Sequence, residues 1–334
     1  MYFVSNQKDR PEEVVLDCRV TGLVPELWNP ATGTTSDVAM YEDDGTSTRA
    51  ALRMDHYDSQ FLVFKKASPK TGAVVDLLKD GQSLRNVKSG AVALPENSPS
   101  ISVTSKGGLR LNAWESGRYE LVFANGSKAD VDLKDIPKPE TLPEKWMVSF
   151  QKERSAPAGQ VAFDKLESWT LRPEDGIRHF SGTASYEQAV NLGSDRFKAG
   201  NRIYLDLGDV RHLAEVVVND KPVGIAWKPP FRVDITDAAK PGANKVEVRV
   251  TNVWKNRLIG DQKLPQKDRI TWTFYPFYKA DAPLVESGLL GPVRVLSTGG
   301  NKVPTPVPQK DSAGKDSAAL QKTNPKPLAA TKAR

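Results

Sequence analysis

The chain has 334 residues, 39% of them apolar and 26% charged, and a net charge of +6. No apolar run approaches the roughly 18 residues that a membrane helix needs, and so small a positive balance does not describe a nucleic-acid protein. A single cysteine, Cys18, excludes an intrachain disulfide, and the length exceeds one ordinary sandwich, which predicts two domains with irregular ends.

Residues 1–133 read as a first β-sandwich. Tyr2-Phe-Val4, Val14 to Val20, Gln60 to Phe64 and Arg118 to Phe123 carry the β-branched and aromatic residues that strands favour. Asn125-Gly126 marks a turn, and Pro25 and Pro30 keep the Trp28 segment on a loop or an edge. Trp28 between those prolines is expected to plug the domain interface. Helix is expected to be scarce, since candidates such as Gly72 to Lys79 are short and bounded by glycine. The amino terminus has no basic leader followed by an apolar segment, so no secretory signal is expected in it. Residues 134–143 are rich in Pro and Lys, the composition of an extended linker.

Residues 144–298 form the most regular part. Apolar residues recur at alternate positions in Ile203, Leu205 and Leu207, in Ala214, Val216 and Val218, in Phe231, Val233 and Ile235, and in Val246, Val248 and Val250. Each run has one face for a core and one for water, and turn signals at Asn219 to Pro222, Pro229-Pro230 and Pro241 to Asn244 separate them. Short alternating strands at this spacing predict a second β-sandwich. Residues 299–334, opening on Gly299-Gly300 and continuing with Lys, Pro and Ala, are expected to be a disordered tail, solvated rather than bound to nucleic acid.

Gly182 to Tyr186, Leu205 to Gly208, Ala214 to Asn219, Trp227 with Pro230 to Thr236, Thr251 to Asp261 and Ser287 to Val293 follow one another in a characteristic order. Together they resemble the sugar-binding, galactose-binding-like jelly roll of glycoside hydrolases of family 2, and more closely the carboxy-terminal part of family 106 α-L-rhamnosidases. The Phe3-Val-Ser-Asn6 opening and Pro25-Glu-Leu-Trp-Asn-Pro-Ala-Thr-Gly33 extend the resemblance to the first sandwich. The resemblance implies an all-β chain that accompanies a catalytic barrel, contact with carbohydrate including rhamnose-containing glycans, and export to the periplasm or cell surface. It carries over no catalytic residue, because in those families the catalytic acids lie on the barrel.

The residues themselves agree that chemistry is hard to place. Glycoside hydrolysis uses two carboxylates facing across the bond, whereas Asp206, Glu215, Asp234 and Glu247 alternate with apolar residues and point to solvent. His56, His179 and His212 accompany no nucleophile elbow, and one cysteine with three scattered histidines makes no zinc pattern. Tyr41 to Gly45 is acidic but lacks the ligand spacing of a calcium loop and is read as a polar turn; a structural calcium elsewhere in the jelly roll is left open, and no other cofactor is expected.

Sugar rings stack their C–H faces on indoles while Asn, Arg and Asp meet the hydroxyls. Trp254, Asn256, Arg257 and Asp261, just past a strand end, with Trp272 nearby, are therefore the candidate carbohydrate-binding residues. The competing reading makes Trp254 a core plug and pairs Arg257 with Asp261 to pin the loop; Trp227 is read as packing. Three functions stay open: the accessory part of a rhamnosidase-like hydrolase, a free-standing carbohydrate-binding protein, or an interaction module without a sugar site.

Overall fold

A computed structural model describes residues 1–66, 72–87, 91–152 and 154–305. It is nearly all β, with 48% strand and 7% helix. The expected tail falls, from residue 306 onward, outside the described residues.

The second unit follows the alternation read from its sequence. One six-stranded antiparallel sheet runs Gln160–Phe163, Trp146–Phe150, Thr183–Leu192, Gly242–Thr251, Leu213–Val218, Lys221–Ala226. Its longest pairing matches Thr183 with Thr251 and continues in register to Leu192 opposite Gly242. Ala184, Tyr186, Val246, Val248 and Val250 thereby face inward together and are buried. A second sheet brings Arg202–Asp206 between Arg294–Lys302 and Arg232–Asp234, and Ile203, Leu205 and Val295 meet the first sheet's inner face.

An aromatic knot fills one end of this core. Trp169 donates its indole N–H to the Tyr186 hydroxyl at 2.5 Å, and Phe150 packs edge-on against both Trp169 and Phe180. Burial pushes the Tyr186 hydroxyl far above its ordinary pKa, so it stays a neutral partner. Each such ring contributes about 1.5–3 kcal/mol by leaving water.

Residues 1–133 contain two buried clusters. One gathers Cys18, Val24, Ala50, Leu52 and Leu62, and the other Leu77, Leu111, Tyr119, Leu121 and Val131. The Gly72 to Lys79 segment, weighed above as a short helix, holds the strand Val74–Lys79, paired with Gly117–Phe123. The register shift at Val122 and Phe123 accommodates it. Trp28 is no interface plug: it lies on the strand Val24–Asn29 and remains 43% exposed.

Two segments read as punctuation are built into the sheets. The last strand, Arg294–Lys302, passes through the expected domain end at 298 and pairs Gly299 and Gly300 with Ala113 and Asn112 of the first unit. A Cβ at Gly300 would lie 2.6 Å from Asn112 Oδ1, so glycine here permits close approach and does not end the strand. The Pro- and Lys-rich connector likewise pairs Glu140 and Thr141 with Val295 and Arg294, while Arg196 grips Glu140 at 2.9 Å.

Candidate functional site: a buried polar clamp beneath an exposed aromatic loop

The strand Gly242–Thr251 delivers the chain to a helix, Lys255–Gln262, where the sequence had suggested a loop. Eight residues are too few to hold a helix by propensity alone, so tertiary contacts must fix it. They do so through the face that carries Asn256, Arg257, Ile259, Gly260 and Asp261, all buried. Trp254 stands before the first turn and is 60% exposed.

The polar groups on the buried face are bonded inside the protein, except Arg257 Nε, which is buried without a partner. Asn256 donates to the Val285 carbonyl at 2.7 Å and accepts from the Val285 N–H at 2.8 Å. Its amide also donates to Ser287 Oγ at 3.1 Å, which Asn252 reaches at 3.0 Å from the neighbouring strand end. Arg257 pairs with Asp261 at 2.9 Å, one helical turn away, and donates to Ser155 Oγ at 2.7 Å. The Asp261 carboxylate accepts the Thr271 N–H at 2.8 Å and its hydroxyl at 2.5 Å. Both ends of the segment from Ile270 to Val285 are thus anchored to one helix.

His179 closes the underside. It is buried, and a Cβ on Gly260 would come within 2.7 Å of it. Burial pulls its pKa below the ordinary value, with the Lys263 and Arg257 charges acting in the same direction against Asp175. The ring is neutral near pH 7 and serves packing.

Of the five candidate sugar ligands, the helix therefore brings Asn256, Arg257 and Asp261 together but faces them inward, where they bond to the chain. The pairing of Arg257 with Asp261 that pins the loop is what the structure contains; Trp254 as a core plug is not. Trp254 and Trp272 stay outside, 60% and 80% exposed. Three further aromatics join them, unremarked in the sequence: Phe274, Tyr275 and Phe277, with Phe274 93% exposed. Arg154 lies over Trp254 at 5.9 Å and Lys255 over Tyr278 at 5.5 Å. The signal that could have found them is the Trp272-Thr-Phe-Tyr-Pro-Phe-Tyr278 run itself, since so many rings without alternation cannot belong to a half-buried strand. So many neighbouring exposed rings mark a contact surface.

The strand acids are held in ion pairs, all but Glu247 with a neighbouring strand. Asp206 meets Arg232 at 2.9 Å, Asp234 meets Arg202 at 2.7 Å, and Arg249 bridges Glu215 and Glu247 at 3.1 and 2.8 Å. Among the described residues no cluster of three or more His, Cys, Asp or Glu could hold a metal ion. In the Tyr41 to Gly45 turn, Asp44 accepts from Thr46 and Ser47, and these bonds depress its pKa. Among the described residues no helix is long and apolar enough to cross a membrane.

No family model matches the chain. A rhamnosidase from Novosphingobium sp. PP1Y is similar in structure over 89% of this chain, with 32% identity and a TM-score of 0.62. A protein of Formosa agariphila, provisionally named a beta-glucuronidase, is 38% identical over 194 residues, or 51% of this chain. The chain is thus glycoside hydrolase-like. It spans 22% of the rhamnosidase and 17% of the Formosa protein.

Proposed function

We propose that this chain is the non-catalytic β-sandwich region of an α-L-rhamnosidase-like glycoside hydrolase of the family 106 type, with a family 2-type sugar-binding jelly roll as its second unit. Its work is to support a catalytic barrel and to help present rhamnose-containing carbohydrate to it, outside the cytoplasm. The observation that carries this reading is the match to a rhamnosidase over most of this chain but about a fifth of that enzyme. The motifs from Gly182 to Val293 named above support the finer family assignment.

The exposed aromatic loop takes its place in this reading as the face that packs against the barrel. Trp, Tyr and Phe in contiguous exposure are the residues that dominate protein contacts. The clamp of Asn256, Arg257 and Asp261 supplies a rigid mount, so little ordering entropy is lost on docking. The test is association of the purified chain with a separately expressed catalytic barrel. A stable complex that Trp272→Ser and Phe274→Ser weaken at least tenfold, with unchanged folding, agrees with the proposal; no association at micromolar concentrations contradicts it.

A further inference from the structure

A cleft of 470 Å³ opens where the two units meet, within the size range of small-ligand sites, and it shares no lining residue with the aromatic loop. It is held open by direct ties between the units. Lys228 of the second unit reaches Asp58 of the first at 2.8 Å and the His56 carbonyl at 3.2 Å. Trp114 and Tyr204, one from each unit, pack with ring centroids 5.2 Å apart, and the Arg232 guanidinium lies 4.6 Å over Trp114.

The lining pairs flat rings with polar edges. Trp227, read from the sequence as packing, lines the cleft and is 57% exposed. Gln60, half-buried in the cleft wall, donates its amide N–H to Asp58 at 2.8 Å. Arg232 is fixed by Asp206 through one terminal nitrogen, and its Nε is buried without a partner. The Gln60 carboxamide and the Arg232 guanidinium therefore line the same space as an open indole. Polar edges of this kind beside an exposed ring suit a ligand that carries hydroxyls.

We infer that this cleft binds a neutral pyranose unit of a glycan, its C–H face stacked on Trp227 and its hydroxyls shared between Gln60 and Arg232. The ring gives the apolar face an aromatic platform, and each hydroxyl both donates and accepts. Asp55 and Asp58 in the wall oppose a phosphate or a carboxylate, and their pairing with Arg53 and Lys228 leaves little net field to attract one. The inference rests on the glycoside hydrolase-like reading for its choice of sugars and needs no barrel.

The experiment titrates the full chain with methyl α-L-rhamnopyranoside, methyl β-D-galactopyranoside and maltotriose at millimolar concentrations, following tryptophan fluorescence and calorimetry. At least one should bind, and Trp227→Ala should weaken it about tenfold, the equivalent of about 1.4 kcal/mol. Gln60→Ala should weaken it by a smaller factor, while Trp254→Ala leaves it unchanged. An unaltered melting temperature for Trp227→Ala shows that the loss is local. Failure of all three sugars to bind overturns the inference, as does binding that Trp227→Ala does not change. So does a Trp227 fluorescence response to an added catalytic barrel and to none of the sugars, which would make the cleft a protein seat. Association with a barrel through the aromatic loop is a separate result, so either proposal can fail while the other stands.

Discussion

The helix after Thr251 and the cleft beside Trp227 contain the same kinds of residue and use them in opposite ways. At the helix, Asn256, Arg257 and Asp261 are sealed inside and bonded to the chain, Arg257 Nε excepted, and Trp254 is left on the surface. At the cleft, Trp227 is open and lines the same space as the polar side chains of Gln60 and Arg232. Tryptophan beside Arg and Asn in a sequence is thus not a site until the backbone decides which face each takes. A helix turns Trp254 away from Asn256, two positions later. A cleft can bring Gln60 beside Trp227 and Arg232, which lie far along the chain from it.

Breaking the sealed pair should have the largest effect on stability. Asp261→Ala leaves Arg257 buried without its counter-charge, and loss of one partner of a buried pair costs about 3–5 kcal/mol. Chemical denaturation of this variant should show that loss, and Trp227→Ala, at an exposed ring, should stay within about 0.5 kcal/mol of the parent. Equal losses would erase the contrast between the two places. Asn256→Ala should fall between them, since it strands the Val285 N–H and frees Ser287, at about 1–3 kcal/mol. Trp272→Ser and Phe274→Ser should leave the denaturation midpoint where it was, because rings so exposed bury almost nothing in this chain.

The smallest effect distinguishes the two places by pH. His56, near the cleft, lies 3.0 Å from Asp9 and 2.6 Å from Glu96; burial pulls its pKa down, but the two carboxylates outweigh it and raise it. Its contribution is therefore fully present below the unfolded value of about 6.5 and is lost as pH rises through the folded value. His179, under the clamp, is shifted downward by burial. The unfolded chain takes up that proton first, so its contribution is present above about 6.5 and is lost as pH falls through the folded value. Denaturation across about pH 5 to 8 should show the deficit of His56→Gln growing on acidification and that of His179→Gln shrinking. Parallel curves would contradict both assignments.

Much of the second unit was legible because alternation is a strong signal when one sheet face is buried. Ile203, Leu205, Val216, Val248 and Val250 all lie inside, as their spacing predicts. What escaped had a tertiary cause. The short helix is held by Val285, Ser287 and Thr271, none of them neighbours in sequence. Gly299 and Gly300 read as a break because a lone sequence cannot distinguish a glycine that ends a strand from one that admits a close partner. Trp227 looked like packing because its exposure depends on where a second unit stops.

Hydrolysis of an aryl α-L-rhamnoside, followed by release of the phenol, tests the central claim most directly. The chain alone should give no turnover above background, because its strand acids are tied to arginines and Asp261 is sealed against Arg257. Turnover should appear when a catalytic barrel is added, and the loop variants Trp272→Ser and Phe274→Ser should reduce it. Turnover by the chain alone, abolished by Asp261→Asn, Asp281→Asn or Glu286→Gln in a variant that still folds, would contradict the accessory role and make this region an enzyme in its own right.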